Sequence, residues 1–135
     1  MEPQKRHFII IDDSKLDCFI EEKMVRNTGM SEKITIFQNA LEALELIKVR
    51  LHPEGLPKTV LLVDIQMPVM NGFEFVEAFE QLPENIQERY IVYIATSSTN
   101  ENDLSRMRSY KSVVSLMNKP LATKTIIERL SLHYA

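Results

Sequence analysis

The chain has 135 residues, 16 of them basic and 19 acidic, for a net charge of −3. Its 44% hydrophobic and 26% charged residues are the composition of one folded domain, not of a disordered chain. No basic excess supports nonspecific binding to nucleic acid or to an anionic membrane. A single cysteine, Cys18, excludes an internal disulfide, and with three scattered histidines it excludes a Cys/His zinc site. No apolar run approaches the ~18 residues of a membrane span, and the N-terminus lacks a signal-peptide pattern. The chain reads as a soluble, cytoplasmic protein.

Five short apolar runs alternate with five helical patterns. His7–Ile11 is the first run. A helix over 14–28 follows, with Leu16, Phe19, Ile20 and Met24 as its apolar stripe and Gly29 as its stop. Ile34–Phe37 is the second run, followed by a helix over 39–51 with Ala40, Ala43, Leu44, Ile47 and Leu51 on one face. Val60–Val63 leads to a helix over 72–82 with Phe75, Val76, Phe79 and Leu82. Tyr90–Ala95 leads to a weaker helix over 100–110. Val113–Met117 leads to a last helix over 122–132. Residues 53–57 and 83–85 read as connecting loops. Runs one, three and four are nearly continuous Ile and Val, as in strands covered on both faces. The strict alternation predicts an α/β fold, a doubly wound parallel sheet built through right-handed crossovers.

Ligands of such a sheet bind at the carboxyl ends of its strands. Strand one ends in Asp12-Asp13-Ser14, strand three in Asp64-Ile65-Gln66-Met67-Pro68, strand four in Thr96-Ser97 and strand five in Asn118-Lys119-Pro120. Three carboxylates in a small volume repel one another, and a hard divalent cation such as Mg²⁺ relieves this. One ammonium on the opposite side suits an anion. The set suggests Mg²⁺ plus a phosphoryl group, with a carboxylate as nucleophile. Each piece alone has a plain structural reading: an N-cap, a strand-end acid, a turn. Their conjunction in order at four strand ends carries the argument.

The stretches Ile9-Ile10-Ile11-Asp12-Asp13-Ser14, Leu62-Val63-Asp64-Ile65-Gln66-Met67-Pro68-Val69-Met70-Asn71-Gly72, Ala95-Thr96-Ser97-Ser98 and Asn118-Lys119-Pro120 resemble the receiver domain of two-component response regulators. The resemblance covers about residues 6–132, so residues 1–135 read as a single receiver domain of the stand-alone, chemotaxis-regulator kind. It implies a flavodoxin-like (βα)5 fold with strand order 2-1-3-4-5. It makes Asp64 the phosphoacceptor. Asp13 would bind Mg²⁺ directly, Asp12 mainly through water, and Gln66 through its backbone carbonyl. Thr96 and Lys119 would each bind a phosphoryl oxygen. The Lys119–Pro120 bond would be cis, and Pro68 and Gly72 would shape the loop beside the acceptor. The implied partners are a sensor histidine kinase or histidine phosphotransfer protein and a downstream protein reached by contact. Nucleic acid and membrane are not implied, and the chain would not be an enzyme beyond slow self-dephosphorylation.

Two positions depart from the family pattern. Leu116 stands where many receivers carry Tyr or Phe, and Tyr110-Lys111-Ser112 replaces a run of small residues. Both bear on how a switch would work. Two rivals are a receiver-like module that signals without phosphate and an aspartyl-phosphate hydrolase of the haloacid dehalogenase type. The hydrolase needs an acid two residues after its nucleophile, where this chain has Gln66. Cys18 reads as a buried helix residue, and His7, His52 and His133 as surface or strand-edge residues.

Overall fold

A computed structural model describes residues 4–134, with side chains described through residue 132. Its elements run β1 (Arg6–Ile11), α1 (Lys15–Arg26), β2 (Ser31–Phe37), α2 (Ala40–Val49), β3 (Thr59–Val63), α3 (Gly72–Phe79), α4 (Glu84–Gln87), β4 (Tyr90–Thr96), α5 (Glu101–Arg108), β5 (Val113–Asn118) and α6 (Thr123–Tyr134). The five strands form one parallel sheet in the order β2-β1-β3-β4-β5. The parallel sheet is the one expected from the alternation of runs and helices, and its strand order is the one the resemblance implies.

Side-chain alternation along each strand divides the interior into two cores. Ile9, Ile11, Leu61, Val63, Val92 and Ile94 face the side covered by α2, α3 and α5. Phe8, Ile10, Val60, Leu62, Ile91 and Tyr93 face the side covered by α1 and α6. Every residue of β3 and β4 is buried, which is why these strands read as unbroken apolar runs. β2 lies at the sheet edge and starts on exposed Glu32 and Lys33, so its first three residues carried no apolar signal.

Two differences from the expected elements have physical causes. The loop after α3 contains α4, a single turn of four residues behind Pro83 with no buried residue of its own. It has no apolar face to produce a period. In α1 the buried residues are Cys18, Glu21 and Val25, whereas Leu16 and Phe19 are 68% and 67% exposed. The expected stripe is therefore rotated: α1 buries Cys18, Glu21 and Val25, keeps Met24 against the core and leaves Leu16 and Phe19 outside. The other stripes hold at Ala40, Ala43, Leu44 and Ile47, at Phe75, Val76 and Phe79, and at Ile126 and Leu130; Leu51 lies beyond its helix and is exposed.

His7 and His52 are half-buried rather than superficial; the His133 side chain is outside the described residues. Burial first, then the charges of Arg50 and Lys33, lower the His7 pKa to about 4. Its Nε2 is 2.7 Å from Thr35 Oγ1. The folded protein resists protonating a ring that the unfolded chain protonates near 6.5. Stability is therefore lost as pH falls from about 6.5 to about 4. A His7→Gln variant is expected to show a shallower fall in melting temperature across that window. An unchanged slope would contradict this assignment.

Candidate functional site

The C-terminal ends of β1, β3, β4 and β5 bring the site together. Asp12 follows β1 and is fully buried. Its Oδ1 accepts the Ser14 N–H at 2.9 Å, and its Oδ2 takes a 2.7 Å bond from Lys119 Nζ. Ser14 caps α1, its hydroxyl accepting the Asp17 N–H. Asp13 is exposed and faces the cavity above the sheet. Asp64 follows β3 and is 9% exposed. Oxygens of Asp12, Asp13 and Asp64 lie within 4.8 Å of one another, the geometry of a hard-cation site.

Burial first, then the charge of Asp12, raises the Asp64 pKa, while Lys119 opposes the shift. Asp64 is thus a crowded carboxylate that gains from a cation. Lys119 closes the site from β5, its Nζ 3.3 Å from Asp64 Oδ1. Burial would lower the Lys119 pKa, but hydrogen bonds and charges from Asp12, Asp17 and Asp64 outweigh burial and raise it. The ammonium thus keeps its charge at neutral pH. The Lys119–Pro120 bond is cis, as the resemblance implied.

Thr96 ends β4 and is 3% exposed. Its Oγ1 accepts the Ser98 N–H at 3.0 Å, which leaves the hydroxyl proton free to be donated elsewhere. Ser98 Oγ in turn accepts the Asn100 N–H. A cavity of about 420 Å³ lies between this loop and Asp13, Asp64, Gln66 and Lys119. Gln66 is exposed, so its side chain makes no buried contribution to the site.

Gly72 shapes the acceptor loop through space rather than through positive φ. A Cβ there would lie 2.4 Å from the Asp64 carbonyl oxygen and 2.8 Å from Ile65 Cα. The Gly72 N–H also bonds the Ile65 carbonyl at 2.8 Å, pinning the start of α3 under the acceptor. Asn71 caps α3 in a reciprocal box with Glu74. All six expected site residues therefore converge on one sheet edge.

Two acids at this edge went unread in the sequence. Asp17 Oδ2 takes a 2.9 Å bond from Lys119. Glu21 is 3% exposed and faces Asp12; burial, then the charge of Asp12, raises its pKa well above the carboxylate range. The available signal was spacing. Positions 17 and 21 stand four apart in α1, one turn above the other on one face. Cys18 is buried as expected. Its thiol points to the Asp12 carbonyl, and burial, then Asp12, raises its pKa to about 12, so it is not a nucleophile.

The description "Response regulator receiver domain" fits residues 8–131. A response regulator receiver protein from Dyadobacter fermentans is 31% identical, covers 94% of this chain and 96% of its own, and superposes with a TM-score of 0.83. A two-component response regulator from Cytophaga hutchinsonii shares the fold at 22% identity and a TM-score of 0.80, covering 96% of both chains. A protein-glutamate methylesterase/protein-glutamine glutaminase from Dechloromonas aromatica is 35% identical over 80 residues, which are 59% of this chain and 21% of that protein. The chain thus spans about a fifth of that relative, and 12% of a probable histidine kinase from Oryza sativa that it matches at 23% identity over 130 residues, 90% of this chain. Among the described residues no helix is long and apolar enough to cross a membrane. The matched span, the strand order and the full-length structural likeness lead to one conclusion: the chain belongs to the receiver domain family of response regulators in two-component signalling.

Proposed function

We propose that this chain accepts a phosphoryl group on Asp64 from a phosphohistidine of a sensor histidine kinase or phosphotransfer protein, and signals by protein contact. The convergence of Asp12, Asp13 and Asp64 with Lys119 and Thr96 around one cavity carries this reading. An Asp64 carboxylate oxygen forms the new O–P bond as the donor's N–P bond breaks, and the departing imidazole nitrogen takes up a proton. Lys119 neutralises charge on a phosphoryl oxygen, and the buried Thr96 hydroxyl donates to another. The three carboxylates fit Mg²⁺, which when bound offsets the charge of the acidic side chains and the phosphoryl oxygens. Asp13 and Asp64 would hold it directly, together with the Gln66 carbonyl. Both Asp12 oxygens are already engaged, which favours contact through water.

Asp13→Ala is therefore expected to weaken Mg²⁺ binding at least about tenfold, and Gln66→Ala to change it little. Titration of each variant with Mg²⁺ checks this, and equal affinities in wild type and Asp13→Ala would refute the assignment.

Incubation with Mg²⁺ and a small-molecule phosphodonor, followed by intact mass, separates the readings. A single lasting phosphoryl adduct supports the acceptor. Turnover without an adduct supports a hydrolase, and no change supports a phosphate-independent module.

The structure also favours a loop-driven switch. Leu116 is half-buried and packs on the core under α3 and α5, where an apolar side chain gains nothing by turning outward. The far end of α5 is tied to α3: Arg106 pairs with Glu77 at 3.1 Å and lies 4.1 Å over the Phe73 ring, and the Tyr110 hydroxyl donates to Glu77. The loop after Thr96, by contrast, hangs on the Thr96 and Ser98 hydroxyls. With a phosphoryl mimic, NMR shifts are expected to move at 96–100 and stay small at Leu116. The reverse pattern would overturn this.

A further inference from the structure

Lys119 is held by more carboxylates than phosphoryl transfer uses. An ammonium has three N–H donors; here Nζ hydrogen-bonds two carboxylates and ion-pairs with a third. Asp12 lies at 2.7 Å, Asp17 at 2.9 Å and Asp64 at 3.3 Å. The first two lie in the range of strong charge-assisted bonds, and the contact with the acceptor is the longest. We propose that Asp17 acts as a brake on the phosphoryl site, drawing Lys119 off Asp64 and adding a negative charge where phosphoryl oxygens must sit. The proposal rests on the reading of Asp64 as acceptor.

Three observations support it. First, for Nζ to close on a phosphoryl group at Asp64 from its present 3.3 Å, one of its two shorter carboxylate bonds must lengthen. Asp12 is fully buried, and stripping its cation would leave a buried charge uncompensated. The Asp17 side chain is 36% exposed, so water can replace the lysine there. Second, Asp17 is not needed to place Lys119. Its Nζ is already held by the short bond to Asp12, and its backbone N–H bonds the Thr96 carbonyl at 2.9 Å, which fixes the strand end that carries it. Third, Asp17 lines the cavity that contains Asp13, Asp64, Thr96 and Lys119, so its charge faces any incoming phosphoryl group. Competition for the lysine and repulsion of the anion act in the same direction. Asp17 is thus a positioning residue that slows the reaction rather than a member of the transfer machinery.

The test compares the wild-type chain with Asp17→Asn and Asp17→Glu. Each is labelled with Mg²⁺ and a small-molecule phosphodonor and followed by intact mass at about 0.05 and about 1 M salt. Asp17→Asn is expected to label about three- to tenfold faster than wild type, and Asp17→Glu to stay within about twofold. The advantage of Asp17→Asn should shrink at high salt, which a purely structural effect would not do. An Asp17→Asn rate at or below wild type, or an equal rise in Asp17→Glu, overturns the proposal. The Ser14 cap uses the backbone N–H of residue 17 and survives the change; should Asp17→Asn fail to fold, Asp17→Ala replaces it under the same criteria. Should the wild type take no label, the acceptor reading fails, and a crystal structure of Asp17→Asn then decides this inference alone. Shortening of the Lys119–Asp64 distance from 3.3 Å supports it, and an unchanged distance overturns it.

Discussion

Asp64→Asn is expected to abolish acyl phosphorylation and, without Mg²⁺, to raise the melting temperature. The first effect follows from chemistry: an amide offers no carboxylate oxygen to form the O–P bond. The second follows from the charges. Asp64 is buried near Asp12, and both effects raise its pKa. A carboxylate whose folded pKa lies above its unfolded value loses stability as pH rises through that interval, so at neutral pH it is a cost to the fold. Lys119 keeps its shorter bonds to Asp12 and Asp17 when Asp64 is neutralised, so little is lost in return. Relief of one screened like-charge contact is worth on the order of 1 kcal/mol, or roughly 3–5 °C in a domain of this size. Thermal melts with and without Mg²⁺ check the sign, because the cation should stabilise the wild type and narrow the gap. A lower melting temperature for Asp64→Asn in the absence of metal would contradict this description of the cluster.

Gly72→Ala is expected to damage both stability and labelling. The added methyl would meet the Asp64 carbonyl at 2.4 Å and Ile65 Cα at 2.8 Å, both of them backbone. No rotamer change can relieve such a contact, so the acceptor loop or α3 must move. Alanine's better helix propensity offers up to ~1 kcal/mol in compensation, while overpacking of this kind costs about 1–3 kcal/mol. The clash wins. Its displacement falls on the acceptor residue itself, so the labelling rate should drop by about tenfold or more even where the fold survives. Circular dichroism melts and labelling kinetics on the same sample check this. A variant with wild-type stability and wild-type rate would show that the contact is not real.

The strands were legible because a sheet covered on both faces demands continuous Ile and Val, as in Ile9-Ile10-Ile11 and Val60-Leu61-Leu62-Val63. The start of β2 was not, because Ser31, Glu32 and Lys33 lie on an edge strand. α4 was missed because one turn without a buried face leaves no period. The orientation of α1 was misread for a reason tied to the site. Its inward face carries Cys18 and Glu21 beside Asp12, and Asp17 reaches Lys119, so polarity there marks chemistry rather than solvent. The strand-end rule puts Asp12, Asp13, Asp64, Thr96 and Lys119 at one edge from sequence alone. It could not reach Asp17, which lies in a helix and meets Lys119 across 102 positions of sequence.

The central claim is that Asp64 is the phosphoacceptor. Borohydride reduces an aspartyl phosphate to homoserine and leaves a free carboxylate untouched. The chain is labelled with Mg²⁺ and a phosphodonor, reduced, digested and sequenced by mass spectrometry. Homoserine is expected at position 64, dependent on Mg²⁺. Homoserine at position 12 or 13 instead, or none in a sample that carries the phosphoryl adduct, would contradict it.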